Sequence, residues 1–130
     1  MKKRLLQFAV LIASIVPIGA GLAGIIAPPY IFGAYRYSTD LISHFGYLSG
    51  LLLAIGIVFV LSVPNIEKHK ARFILLGSIV FVGGLARLFE GMLTGFGTWP
   101  HQAALVMELI VTPAIVLWQR RVAGRLSGMK

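Results

Sequence analysis

An arginine inside an apolar run is the first place in this sequence where chemistry could happen. Arg87 stands in the stretch from Phe73 to Thr94, with Glu90 three residues on and Glu108 in the next apolar run. A charge at mid-bilayer costs roughly 3 kcal/mol even on lenient insertion scales, so intramembrane ionisable residues usually face inward, pair, and mark a site. A second polar set, Asp40, Ser43, His44 and Tyr47, recurs at three- and four-residue spacing, which gathers it on one helix face. Together Asp40, His44, Tyr47, Arg87, Glu90 and Glu108 suit the polar head of a lipid-like or quinone-like molecule, with its tail lying between helices. Three other readings compete. Arg87 with Glu90 or Glu108 could be a bidentate ion pair that sets helix register in a structural or accessory subunit of a membrane complex. Asp40 and His44 could form an i, i+4 pair at a helix start. His44 beside a carboxylate could act as general base while Arg87 stabilises an anion, as in a membrane isomerase or hydratase.

Other chemistries find no support in the residues. No two histidines share ligand spacing on one helix, so no metal site is expected. The chain has no cysteine, which excludes disulfides and thiolate chemistry. Nothing resembles a nucleophile elbow, a phosphate loop or a dinucleotide fingerprint, and the pattern names no cofactor.

The elements that must position these groups are membrane spans. An apolar content of 58% over 130 residues, with a mean hydropathy of +0.89, exceeds what a soluble domain carries. Four apolar runs each approach the ~20 residues that cross the hydrocarbon core. They predict an all-α integral membrane four-helix bundle in a single domain, with helices over about 5–27, 39–63, 68–94 and 101–119. Pro28 and Pro29 stop the first, Ser38 or Thr39 caps the second, and Pro100 precedes the fourth. The first run also imitates a secretory signal, with Lys2, Lys3 and Arg4 before it and small residues at Ala20 to Ala23. Its apolar run continues past that point to Ala27, so it is read as a retained helix.

Charge supplies the topology. Twelve basic residues against four acidic ones leave a net +8, which without regard to position would suggest nucleic acid. Ten of the twelve, however, flank apolar runs at the two termini and in the loop between the second and third helices, leaving only Arg36 in an opposite loop and Arg87 within a span. The positive-inside rule then places both termini in the cytoplasm, with no role for nucleic acid. Tyr30, Tyr35, Tyr37 and Trp99 gather at the outer rim and Trp118 at the inner one, as interfacial aromatics do. A rise of 1.5 Å per residue puts His44 and Glu90 roughly 7 Å, Glu108 roughly 10 Å and Arg87 roughly 12 Å below the outer surface. Three helices thus deliver their ionisable groups to one slab.

Small residues should bring the helices together, since lipid offers no hydrophobic drive between them. Ser14, Pro17, Gly21 and Gly24 form one stripe on the first helix, and Gly46, Gly50 and Ala54 form one on the second. Gly83, Gly84, Arg87, Glu90, Gly91 and Thr94 share a face on the third, and His101, Ala104, Glu108 and Thr112 share one on the fourth. Pro17 and Pro113 should kink the helices that contain them.

Two stretches, DLISHFGYLSGLLLAIG from Asp40 and GGLARLFEGMLTG from Gly83, with Glu108, Pro113 and Trp118 beyond them, carry a resemblance. The chain resembles, over about residues 23–118, a family of small bacterial four-span membrane proteins known only as a domain of unknown function, similar in look to DoxX-like proteins. The resemblance implies a four-helix bundle in the bacterial cytoplasmic membrane and adds weight to Asp40, His44, Arg87 and Glu108. It carries no activity over. The expected partners are membrane lipids, a lipophilic small molecule and other membrane subunits.

Overall fold

The computed structural model describes residues 2–27 and 38–127. Its elements are α1 (Lys2–Ile26), α2 (Thr39–Leu61), a 3-10 turn (Ile66–Lys68), α3 (Lys70–Thr94), α4 (Trp99–Val106), a π turn (Met107–Val111) and α5 (Thr112–Ser127). There is no strand among the described residues. Four segments, α1, α2, α3 and the continuous run Trp99–Arg125, are long and apolar enough to cross a membrane. The protein is therefore an all-α, four-span chain of the kind its hydropathy predicts. The predicted rim residues Tyr30, Tyr35, Arg36 and Tyr37, and the stop at Pro28 and Pro29, lie outside the described residues.

Local chemistry sets the helix ends. Ser38 is the N-cap of α2, in extended conformation, and its hydroxyl accepts from the Leu41 amide at 3.2 Å. Between α2 and α3, Asn65 takes a left-handed φ of 52°, which asparagine tolerates better than most residues. The chain then makes one 3-10 turn, so α3 starts at Lys70 and not at Lys68. Gly95 ends α3 with φ of 96°, its amide donating to the Gly91 carbonyl at 2.9 Å. The fourth span departs most from expectation. It starts at Trp99 with Pro100 inside its first turn, where a missing amide proton costs nothing, and it runs past Gln119 to Ser127. Hydropathy fades at Arg120 because basic residues follow, yet arginine is a good helix former, so the helix continues after its apolar face ends.

The chain divides into two compact units. The first, Phe8–Val63, is held by close approach of α1 and α2. A Cβ placed on Gly21 would lie 2.7 Å from the Leu53 amide nitrogen and 2.8 Å from the Ser49 carbonyl oxygen. Gly24 faces the Ser49 side chain in the same way, and Gly56 receives Ile18 and Pro17. Ser49 at these contacts, and Ser14 on α1, are buried and return their hydroxyl protons to the carbonyls of Phe45 and Val10, each at 2.7 Å. The packed face of α2 is thus Ser49, Leu53 and Gly56. The predicted stripe of Gly46 and Gly50 is open, with nothing among the described residues near either glycine. α1 runs as one helix through Pro17, without the break that a proline can bring.

The second unit comprises Pro64–Lys130 with Met1–Gln7. Here α3 packs along α4, the π turn and α5, and the 3-10 turn packs on α5. Leu6, Ile66, Phe73 and Gln119 are fully shielded within it. The Gln119 amide donates to the Ile66 carbonyl at 2.8 Å and ties the 3-10 turn to α5. At the same end Lys3 Nζ meets Glu67 Oε2 at 2.9 Å.

Candidate functional site

The site grows from a glycine. Gly84, buried on α3, lies against Glu108, whose Cβ would be 2.8 Å from a Cβ added at that glycine, with the Leu109 side chain equally close. One helical turn further along α3, Arg87 projects from the same face. The absence of a side chain at Gly84 seats the π turn against α3 and brings Glu108 within reach of Arg87. Gly83 contributes nothing of the kind, since its surroundings among the described residues are open.

Arg87 and Glu108 form a fork. Nε donates to Oε2 at 2.9 Å and Nη2 donates to Oε1 at 3.0 Å, the two parallel bonds that a planar guanidinium and a carboxylate make best. The Glu108 side chain is 16% exposed and that of Arg87 is 39% exposed. A guanidinium carries five N–H donors. Two go to Glu108, and the other three have no acceptor among the described residues. The pair is neutral as a whole but keeps hydrogen-bonding capacity on its open side.

Glu108 stands in a π turn, Met107–Val111, within the fourth span. The Thr112 amide closes that turn on the Met107 carbonyl, five residues back. The cause lies next door. Pro113 has no amide proton to donate and its ring crowds the preceding turn, and the wider π turn just before it takes up the mismatch. The expected disturbance at Pro113 therefore takes the form of a π turn, and it sets the angle at which Glu108 leaves the helix. Turns of this type recur at functional sites. Pro113 five residues after Glu108 was the signal in the sequence.

Among the expected site residues, the structure brings together Arg87 and Glu108. Glu90 is exposed, and its carbonyl, not its carboxylate, is engaged, accepting from the Thr94 hydroxyl at 3.0 Å. Asp40, His44 and Tyr47 lie on α2 in the other unit, all exposed, with no hydrogen bond or ion pair among the described residues. Asp40 and His44 accordingly do not form the i, i+4 pair that their spacing allows. Asp40 occupies the first turn of α2, where the helix dipole favours it. His101 is engaged locally, its Nδ1 lying 3.3 Å from the Thr98 hydroxyl. No group of three or more histidine, aspartate and glutamate side chains among the described residues could hold a metal ion.

Sequence reasoning missed the polar bonds at the opposite end of the second unit. Lys3 and Glu67 are read from the sequence as a topology charge and a loop acid, yet they pair. The Lys3 ammonium, with the amide of Glu67 itself, holds the Glu67 carboxyl below its ordinary value of 4.5, against the opposing effect of burial. Gln119, which the sequence marks only as the end of a helix, is the fully shielded donor to Ile66. Neither contact has a local signature, because each joins residues more than fifty positions apart.

No curated protein matches the chain, and no solved structure matches it. A family model does match, over residues 5–119, from within the first span to within the fourth, and it includes both members of the Arg87–Glu108 fork. The protein belongs to the family described as Domain of unknown function (DUF4345).

Proposed function

We propose that this protein binds a lipid-like or quinone-like molecule within the membrane, through the open side of the Arg87–Glu108 fork. The observation that carries the reading is the set of three guanidinium donors left over beside a charge already neutralised by Glu108. In hydrocarbon an unmet donor costs free energy, so these N–H groups favour an acceptor. The fork is neutral, so the best-matched acceptor is itself neutral: a quinone carbonyl, a lipid ester or a hydroxyl. The apolar side chains of the spans suit the tail of such a molecule. Asp40, His44, Tyr47 and Glu90, placed by sequence in the same depth range, are the residues to test beside the fork. The charge count supports a multi-pass membrane protein with both termini inside, and the family resemblance points to the bacterial cytoplasmic membrane.

Native mass spectrometry of the protein extracted in mild detergent tests this. The expected result is a discrete bound mass that is retained by the wild type and lost in Arg87→Lys and Glu108→Gln, both of which still fold. A ligand-free protein, or unchanged retention in both variants, would overturn it. A partner protein at fixed ratio with no small molecule would favour an accessory-subunit role. Turnover of the retained compound, abolished by His44→Ala, would make the protein an enzyme of the isomerase or hydratase type.

A further inference from the structure

A second polar feature lies at the end of the second unit where α1 begins. The first residues of α1 and the last turns of α5 border an open groove of about 570 Å³. Trp118, Arg121, Val122 and Arg125 reach it from α5 at spacings of three and four, one face of that helix, while Lys2 and Leu5 reach it from α1. Lys3 also borders the groove, but its ammonium is committed to Glu67. Among the described residues, Lys2, Arg121 and Arg125 have no hydrogen-bond or ion-pair partner and no carboxylate lines the groove.

The lining is therefore two-sided. Leu5, Trp118 and Val122 offer an apolar wall continuous with the membrane spans, and three cations without a partner among the described residues stand beside it. Like charges so close repel one another unless an anion lies among them. A soluble anion would use the cations and leave the indole and the aliphatic wall idle. A zwitterionic lipid would use the wall and leave the charges uncompensated. An anionic phospholipid uses both, with its phosphate among the cations and the start of its acyl chain on Trp118 and Leu5. Basic pockets between spans at a membrane surface recognise such headgroups, and each cation near the surface contributes a comparable share.

We propose that this groove is a binding site for the headgroup of an anionic phospholipid, separate from the Arg87–Glu108 fork. The test uses the full chain in lipid nanodiscs, with Trp99→Phe leaving Trp118 as the one tryptophan. Brominated lipid quenches indole fluorescence on contact, so two disc compositions are compared, one containing brominated phosphatidylglycerol and the other brominated phosphatidylcholine. Trp118 should be quenched more strongly by the anionic lipid at equal bromine content. Arg121→Gln with Arg125→Gln should abolish the preference, each lost charge lowering relative affinity roughly fivefold. Arg121→Lys with Arg125→Lys should keep it and show that the chain still folds. Equal quenching by the two lipids in the wild-type background, or a preference that survives in the double glutamine variant, overturns the proposal. A Trp118 response to inorganic phosphate in purely zwitterionic discs, without any preference for the anionic lipid, also overturns it and assigns the groove to a soluble anion.

Discussion

The contact of α1 with α2 and the contact of α3 with the π turn both begin at a glycine, and they end differently. At Gly21 and Gly24 the facing groups are the backbone and a serine whose hydroxyl is already bonded to its own helix. Nothing is left over for chemistry, and the contact is packing. At Gly84 the facing group is Glu108, and the approach delivers a carboxylate to an arginine one turn away. The same device, a missing side chain, closes one interface and furnishes the other with a polar site. Close approach in lipid supplies dispersion energy wherever it occurs. What the approach is for depends on the residue that it admits.

Breaking each contact should expose that difference. The largest effect is expected at the fork. Glu108→Met strands the Arg87 guanidinium and should destabilise the second unit by about 3 kcal/mol, whereas the double change Arg87→Met with Glu108→Met should cost less than either single change. A double-mutant cycle by steric trapping in bicelles checks this, and strictly additive losses would deny the coupling. Next comes Gly21→Val, which drives a branched side chain into the Leu53 and Ser49 backbone and should cost about 2 kcal/mol in the same assay, with no change in ligand retention per folded molecule. Gly84→Val should combine both losses, weakening the fold and releasing any ligand held at the fork.

Smaller effects belong to the loop end. Gln119→Leu removes the bond to the Ile66 carbonyl and leaves that acceptor shielded, for a loss of about 1 kcal/mol. The smallest is the Lys3–Glu67 pair. The Glu67 pKa is depressed on folding, so the pair's contribution is fully present above the unfolded value of 4.5 and disappears as pH falls through the lower folded value. Lys3 is more than a third exposed, which limits the pair to about 0.5 kcal/mol. Stability of wild type and Glu67→Gln, compared at neutral pH and near pH 3, should converge at the acidic end; a difference that persists there would assign the effect to something other than charge.

Much of the architecture was legible before any coordinates. The four spans follow from runs of apolar residues, and a cap at Ser38 or Thr39 follows from residue types whose local chemistry suits that position, which the structure gives to Ser38. Arg87 announced a pairing because a lone cation in a span is costly. The sequence offered Glu90 and Glu108 equally, and could not rank them. It also preferred Gly46, Gly50 and Ala54 as the packed face of α2, because these residues are small, where the structure uses Ser49, Leu53 and Gly56. The length of the fourth helix was underestimated for a different reason: hydropathy reports where a helix leaves the apolar phase, and backbone hydrogen bonding continues past that point.

The sequence by itself determined what sums along the chain: span number, the flanking charges and the presence of ionisable residues in three of the four spans. These are additive properties of neighbouring residues and need no partner. Only the tertiary structure decided which carboxylate answers Arg87, which face of α2 meets α1, and that Lys2, Arg121 and Arg125 border one groove. Each of these depends on the rotation and depth at which two helices meet. Packing of side chains far apart in the sequence sets that rotation, and one residue at the contact, Gly84, changes its outcome.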